Sequence, residues 1–211
     1  MKTIPRVLFL LVLAAFCCMA LLAQDAMAPA KPKAAKPAAQ AQQMPPMPKP
    51  APEMTKLSKM LSGNWTVAEK MEPGPMAPNG ATGKGTAKIW AGPGGLSLIE
   101  NYQSSGAMPG SFKGMGTWWW DPKAQAFHGL WCDNMTPNGC DASGTTKWEG
   151  NNLVGSMQSA DMNGQMMMMK FTYSDFKPDS FVMTMEMGPD ASKMQKAMTV
   201  TYTKAAAPGK M

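Results

Sequence analysis

Short stretches in which apolar and polar residues alternate fill most of the chain beyond residue 63. Alternation with a period of two is typical of strands that bury one face. The stretches are separated by GPGG, DPKAQ, TPNG, EGNN, DMNG and DFKPD, whose Gly, Pro, Asn and Asp residues favour tight turns. The pattern predicts ten strands, at residues 64–72, 81–91, 96–103, 111–120, 126–134, 143–149, 153–160, 165–174, 180–187 and 197–204.

A helical period precedes these strands. In MTKLSKMLSGNW, the residues Met54, Leu57, Met60 and Leu61 recur at helical spacing, and Gly63 can close the helix. No helical crossover interrupts the strands that follow, so consecutive strands are expected to pair antiparallel. Closure is the usual way in which such a meander removes its edges. The sequence therefore predicts an all-β fold, an antiparallel up-and-down barrel of about ten strands with a short N-terminal helix.

The first residues have the layout of a secretory signal peptide. Lys2 and Arg6 precede an apolar run from Val7 to Leu22, and small residues follow near Ala23. The run is shorter than the roughly 20 residues that a spanning helix needs, although a retained anchor is the alternative. We therefore expect residues 1–23 to be cleaved, the mature protein to be periplasmic or secreted, and no stable membrane insertion after cleavage.

Residues 24–52 are almost wholly Ala, Pro, Lys and Gln. This composition cannot bury enough apolar surface to offset the entropy of ordering, so it predicts a disordered linker. The linker is either a spacer whose four lysines attract anionic cell-envelope polymers, or a dispensable tail. The barrel domain is placed at residues 53–204 and a disordered tail at 205–211.

Cysteine and charge limit the possible functions. Cleavage would remove Cys17 and Cys18 and leave Cys132 and Cys140, which flank a turn-rich DNMTPNG segment in an oxidising compartment. A disulfide across a hairpin is predicted, with two free thiols as the alternative.

The formal charge of +6 falls mainly on the leader and linker, and no arginine follows Arg6. The arginine forks that are typical of nucleic-acid recognition are therefore absent, and nucleic acid is not expected as a partner.

A resemblance to a known family rests on several short motifs. These are LSGNWTV with Gly63 and Trp65, GPGGLSL at 92–98, FKGMGTWWWDP at 112–122, the LWCD segment ending at Asp133, and LVGSM at 153–157. In this order they resemble the bacterial domain-of-unknown-function family 1579, one of the calycin-type, lipocalin-like barrels, over roughly residues 54–204. The resemblance implies an antiparallel barrel with an interior cavity and no established activity. The methionine content and the two cysteines depart from the family pattern.

Strand phase predicts which side chains face the interior. In SFVMTMEM, Phe181, Met183, Met185 and Met187 share one face, and the same parity applies to the neighbouring strands. Trp118 and Trp120 share a face that either fills a core or lines a pocket. The residues predicted to line a ligand cavity are Trp65, Trp118, Trp120, Trp131, Met167, Met169, Phe171, Met183, Met185 and Tyr202.

Catalysis is not expected. The single histidine, His128, belongs to no nucleophile or metalloprotease signature, and Asp121 before Pro122 is interpreted as a turn former. No catalytic residue and no cofactor are therefore predicted. Haem ligation by His128 and a methionine is the weakest alternative. A stronger metal alternative is monovalent copper or silver at Met183, Met185 and Met187, with Met167 and Met169 on a neighbouring strand, because thioethers are soft ligands.

The sequence thus predicts an exported, non-catalytic barrel that binds a small apolar or amphipathic molecule in its interior. An adaptable methionine wall would favour broad specificity. The alternatives are the methionine-rich copper or silver protein, and an envelope protein-interaction module with a filled core. The interaction module predicts an exposed apolar patch.

Overall fold

The structure, a computed structural model, describes residues 46–206 except residues 76, 109 and 162–163. The predicted signal peptide, the linker up to residue 45 and most of the C-terminal tail lie outside the described residues. The described part of the linker, residues 46–51, has no regular secondary structure.

The described chain forms one α-helix and ten strands, joined by turns and two short 3-10 turns. The helix, α1, spans Pro52–Leu61. The strands are β1 Gly63–Met71, β2 Ala81–Ala91, β3 Ser97–Ser105, β4 Ser111–Asp121, β5 Ala126–Asp133, β6 Cys140–Glu149, β7 Asn152–Ala160, β8 Met166–Lys177, β9 Ser180–Gly188 and β10 Gln195–Lys204.

The ten strands form one closed antiparallel barrel. Each strand pairs with its neighbour along the chain, and β1 pairs with β10 to close the sheet. The predicted up-and-down ten-stranded barrel with a short N-terminal helix is therefore confirmed. Closure pairs the outermost strands of the meander, which leaves no free edge for another chain to extend.

Two strands differ from their predicted bounds by three residues at one end, and the others differ by at most two residues at either end. β6 begins at Cys140 instead of residue 143, because Cys140 already pairs with Cys132 in the ladder. β8 continues to Lys177 instead of residue 174, through a register shift between Ser174 and Lys177. Asp175 lies there with a φ of 53°, so the strand crosses a bulge and resumes pairing before the turn. The sequence prediction ended the strand before DFKPD, because that segment was interpreted as a turn.

Helix α1 covers one end of the barrel, here called the helix end. Its Met54, Leu57 and Leu61 are buried, and Lys56 Nζ lies 4.0 Å from the centre of the Trp148 ring. The turns β2–β3, β4–β5, β6–β7 and β8–β9 lie at the same end. With its ten residues, α1 is too short to cross a bilayer, and no other helix among the described residues is a candidate span.

The alternating pattern determines which side chains face the interior of the barrel. Along β1 the odd-numbered positions from 65 to 71 are buried and the even-numbered positions are exposed. The main cluster of buried apolar side chains comprises Met54, Leu57, Leu61, Trp65, Val67, Ala87, Ile89, Leu98, Tyr102, Phe127, Leu153, Phe181, Met183, Met185, Val200 and Tyr202. The core therefore fills the helix end and the middle of the barrel.

Candidate functional site

An aromatic group closes the barrel at the helix end. The Trp65 Nε1–H donates to the carbonyl oxygen of Leu61 at 2.9 Å, which ties the interior to the last turn of α1. Phe181 packs edge-on against Trp65 with ring centres 4.9 Å apart, and stacks on Tyr202 at 4.2 Å. Trp65, Phe181 and Tyr202 are all buried. This arrangement anchors β1, β9 and β10 at the helix end.

Two carboxylates lie in the interior beside this aromatic group. Glu69 of β1 is 4% exposed and Glu100 of β3 is 2% exposed. The Tyr102 hydroxyl donates to Glu69 Oε1 at 2.6 Å, and the Tyr202 hydroxyl donates to Glu100 Oε1 at 3.2 Å. The rings of Tyr102 and Tyr202 are 6.3 Å apart, so the two acid–phenol pairs form one cluster, here called the carboxylate cluster.

The carboxylate cluster is incompletely satisfied. Glu69 Oε2 is buried and accepts no hydrogen bond from the described residues. The ion pairs of the described residues are made by other acids, namely Glu72, Asp121, Glu186 and Asp190. A buried acceptor without a donor costs about 1–3 kcal/mol, and more when it is charged. Such an atom is the kind of group that a bound molecule can satisfy.

Burial also changes the acidity of the cluster. It raises the pKa of Glu100 from 4.5 to about 7, although the hydrogen bond from Tyr202 acts in the opposite direction. Burial likewise raises the pKa of Tyr102, and the hydrogen bond to Glu69 and the nearby carboxylate charges raise it further. The pKa of Tyr202 is raised by burial and by the charge of Glu100. Both phenols therefore stay protonated and act as donors.

Glycines make room for these groups. Gly83 pairs with Glu69 across β1 and β2, and a Cβ at Gly83 would collide with the Glu69 carboxylate. A Cβ at Gly114 would collide with the indole of Trp131. At both positions a glycine is needed because a large inward side chain from another strand occupies the space above the backbone.

The predicted cavity residues divide into two groups. Trp65, Met183, Met185 and Tyr202 are buried in the main cluster. The others are only partly buried, namely Trp118, Trp120, Trp131, Met167, Met169 and Phe171. Since these partly buried side chains lie on β4, β5 and β8, that wall of the interior is the one that solvent reaches.

The opposite end of the barrel carries the disulfide and the methionines, and is here called the methionine end. Cys132 and Cys140 form a disulfide between β5 and β6. Trp131 Nε1–H donates to Asp133 Oδ2 at 2.9 Å, and Asp133 also accepts hydrogen bonds from the backbone of Met135 and Thr136. These contacts order the β5–β6 turn beside the accessible wall.

His128 and Asp121 lie on the outside of the barrel. The His128 Nε2 is 3.3 Å from Asp121 Oδ2, and the imidazole stacks on Trp119. Asp121 Oδ1 accepts from the backbone N–H groups of Lys123 and Ala124, which stabilises the turn and lowers the pKa of the carboxyl. Asp121 therefore has the turn-forming contacts expected from the sequence, and His128 points away from the interior.

Two concavities of the described surface lie outside the barrel. One, of about 590 Å³, runs over β1 to β4 and exposes Lys88 and Lys113. The other, of about 300 Å³, lies between α1 and the β2–β3 turn. The side chains of Met115, Trp119 and Leu130 are also exposed on the outer face of β4 and β5. Inside the barrel, the helix end and the middle are occupied by the main cluster of buried apolar side chains.

Glu69, Glu100 and Tyr102 were not predicted from the sequence to be site residues. Strand parity carried the signal, because Glu69 shares a face with Trp65 and Val67, and Glu100 shares one with Leu98. An acidic residue at an inward-facing position of a strand is a better indication of a binding site than another aromatic residue is. Among the described residues, His, Cys, Asp and Glu side chains form no group of three that could hold a metal ion.

Comparisons with known proteins agree with this architecture. A family model described as "Protein of unknown function (DUF1579)" matches residues 49–204. Rv2717c from M. tuberculosis has a similar crystal structure, with a TM-score of 0.50 and 12% identity, covering 75% of this chain and 100% of that chain. The S-type phycobiliprotein lyase CPES from Guillardia theta is similar with a TM-score of 0.51 and 9% identity, covering 73% and 93%.

No curated protein sequence matches the chain. At identities of 9% and 12%, the two structural neighbours show a shared barrel fold and nothing about the ligand or reaction of this chain. Function must therefore be inferred from the interior residues themselves.

Proposed function

The chain belongs to the DUF1579 family of proteins of unknown function, and from this premise we propose that it binds a small amphipathic molecule inside the barrel, without catalysis. The bound molecule carries a hydrogen-bond donor, preferably a cationic amine, on an apolar body. The protein works in the periplasm or outside the cell and needs no cofactor.

The observation that carries this proposal is the unsatisfied oxygen of Glu69. Glu69 Oε1 already accepts from Tyr102, whereas Oε2 is buried with no donor among the described residues. A guest that donates to Oε2 would replace an unmade hydrogen bond with a charge-assisted one, which is worth about 1.5–3 kcal/mol. The polar head of the guest is therefore placed at the carboxylate cluster.

The apolar body of the guest lies against the accessible wall. Trp118, Trp131 and Phe171 face inward on three strands and remain partly exposed. Burial of apolar area against such side chains supplies most of the affinity in small-molecule sites, while a few polar groups set the orientation. A guest that enters between these side chains requires some of them to move. Methionines suit this role because their side chains are flexible and unbranched.

The charge of the interior supports a preference for cations. Glu69 and Glu100 both face inward, and neither has an ion pair among the described residues. A carboxylate guest would bring a third acid beside them, which is unfavourable at low effective dielectric. We therefore expect amines to bind more tightly than alcohols, and alcohols more tightly than fatty acids.

Two further observations support the non-catalytic and exported parts of the proposal. His128 lies on the outer surface beside Asp121, away from the carboxylate cluster. The Cys132–Cys140 disulfide is the kind of cross-link that persists in oxidising compartments. Together with the secretory layout of residues 1–23, it favours a protein that acts outside the cytoplasm.

The test compares three probes that share one alkyl chain, namely octylammonium, octanol and octanoate. Titration calorimetry with the full chain at pH 7.5 should give the tightest binding for octylammonium. In the variant Glu69→Gln, octylammonium affinity should fall by about tenfold or more, which corresponds to 1.4 kcal/mol or more. Glu186→Gln is the matched control, because Glu186 lies on the outer face and pairs with Lys170. Equal affinity for octanoate, or an unchanged Glu69→Gln variant, would contradict the proposal.

The interaction-module alternative depends on the outer face of the barrel. Met115, Trp119 and Leu130 are exposed on β4 and β5, as that alternative expects of an apolar patch. Failure of all three probes to bind the wild-type chain would leave this alternative as the better account.

A further inference from the structure

Three methionines meet inside the barrel at the methionine end. Met157 of β7 pairs directly with Met169 of β8, and Met169 pairs directly with Met187 of β9. All three side chains point inward, since Met157 shares the parity of buried Leu153 and Met187 shares that of buried Phe181. Here we call these three residues the thioether row.

The ladder places these three residues closer together than methionines two residues apart on one strand. Directly opposed residues in an antiparallel pair have Cβ atoms about 4.5–5.5 Å apart, whereas neighbours along one strand face lie about 7 Å apart. The inner surface of a barrel is concave, so side chains from three adjacent strands converge. A methionine side chain is long enough to cover the remaining distance, and its rotatable bonds let three sulfurs turn toward one point.

The thioether row is accessible as well as convergent. Met157 is buried, whereas Met169 and Met187 are partly exposed near the ends of their strands. A second trio of paired methionines, Met71, Met198 and Met185, crosses β1, β10 and β9. That trio is more enclosed, because Met71 packs with Ala77 and Ala107 from the adjoining loops. Of the two trios, the thioether row is the more exposed, because two of its three side chains are only partly buried.

The chemistry of the row selects one class of ligand. Thioether sulfur is soft and uncharged, so it favours monovalent copper or silver over hard divalent cations that need carboxylate or imidazole ligands. Cys132 and Cys140 are bonded to each other and offer no thiolate. No trio of His, Cys, Asp and Glu side chains in the described residues competes for the ion.

We propose that Met157, Met169 and Met187 bind one soft monovalent cation, Cu⁺ or Ag⁺, through three thioether sulfurs. The site differs from the same-strand set Met183, Met185 and Met187 that the sequence suggested. In the ladder, Met183 lies beside Tyr173 and Val200, so its nearest cross-strand neighbours are not methionines. The inference does not rest on guest binding at Glu69, because the two sites use different side chains.

The test uses Ag⁺, which needs no reductant, in a buffer free of thiols and halide. The protein is the mature chain from residue 24 onward, because the thiols of Cys17 and Cys18 in the leader would themselves bind Ag⁺. Titration calorimetry and native mass spectrometry should show one tightly bound Ag⁺ per wild-type chain. The triple variant Met157→Leu, Met169→Leu, Met187→Leu should lose at least 100-fold in affinity. The control is Met71→Leu, Met185→Leu, Met198→Leu, which makes the same change at the second trio and should stay within about threefold of wild type.

NMR spectra of the chain with methyl-labelled methionines provide a second measurement of Ag⁺ binding if a triple variant folds poorly. On addition of one equivalent of Ag⁺ to wild-type chain, the methyl signals of the thioether row should shift most. Methionine-to-leucine exchange usually costs less than about 1.5 kcal/mol, so both triple variants should still show a cooperative thermal transition. The proposal is overturned if the wild-type chain binds no stoichiometric Ag⁺, if the thioether-row variant keeps its affinity, or if other methionine signals respond first.

Discussion

The two ends of the barrel fill the interior with different kinds of side chain. At the helix end, Trp65, Phe181 and Tyr202 are buried and fixed by ring packing and by a hydrogen bond to α1. At the methionine end, Met169 and Met187 are partly exposed, and their side chains are unbranched and carry no rigid ring. Rigid aromatics define one packed arrangement, whereas thioethers permit several.

This contrast explains how one small barrel can be both stable and adaptable. The helix end supplies burial and shape, so it sets the free energy of folding. The methionine end and the wall of β4, β5 and β8 can then change conformation at little cost in stability. Carboxylates placed between them, at Glu69 and Glu100, give the interior a polar point of attachment. Rigid and adaptable packing are therefore concentrated in different parts of the same sheet.

The largest expected effect comes from a matched pair of truncations on β9. Phe181→Ala should lower the free energy of unfolding by about 3–5 kcal/mol, because it opens a large cavity among buried rings. Met187→Ala, also inward but partly exposed, should cost only about 1–2 kcal/mol. Urea unfolding of both variants measures the difference. Equal losses would mean that the two ends contribute alike to stability.

The pH dependence of stability tests the role of the carboxylate cluster. Glu100 has its pKa raised from 4.5 to about 7 in the folded state, so the folded chain holds a proton that the unfolded chain has already lost. The contribution of Glu100 to stability should therefore be greatest below about pH 4.5, fall as the pH rises toward 7, and level off above 7. The shift corresponds to about 3 kcal/mol.

Glu100→Gln isolates this contribution, because glutamine still accepts from Tyr202 but does not ionise. The difference in unfolding free energy between wild type and Glu100→Gln, measured from pH 4 to 8, should follow the predicted fall. A difference that stays flat across this range would show that Glu100 is hydrated in the folded chain rather than buried.

The smallest expected effect concerns the disulfide at the methionine end. Cys132 and Cys140 are eight residues apart, so their bond closes a short loop. Replacing both with serine should reduce the free energy of unfolding by about 2–3 kcal/mol, mainly by freeing the unfolded chain. The β5–β6 hairpin should gain amide exchange while the helix end keeps its protection. Loss of protection around Trp65 would contradict the division between the two ends.

The alternation of residues was enough to predict the fold. It placed all ten strands, with turn chemistry marking their ends, and it assigned the inward face of β9. Alternation gives the face of a residue but not its partner on the next strand. The pairing of Met169 with Met187 depends on register, which shifts at bulges such as the one between Lys196 and Met198. The thioether row therefore required the structure.

The carboxylate cluster was missed for a different reason. Glu69 and Glu100 follow the inward parity of their strands, yet an acid in an otherwise alternating strand is easily assigned to the solvent face. Its burial becomes visible only when Tyr102 and Tyr202, from other parts of the chain, supply the hydrogen bonds. Burial of a charge depends on such distant partners, which local sequence does not show.

The affinity of octylammonium for wild type and Glu69→Gln, with Glu186→Gln as the control, decides whether the interior binds a guest at the carboxylate cluster. Our account predicts that wild type and Glu186→Gln bind it equally, and that Glu69→Gln binds it at least about tenfold more weakly. Equal affinity in all three proteins would contradict the claim that the unsatisfied oxygen of Glu69 holds the guest.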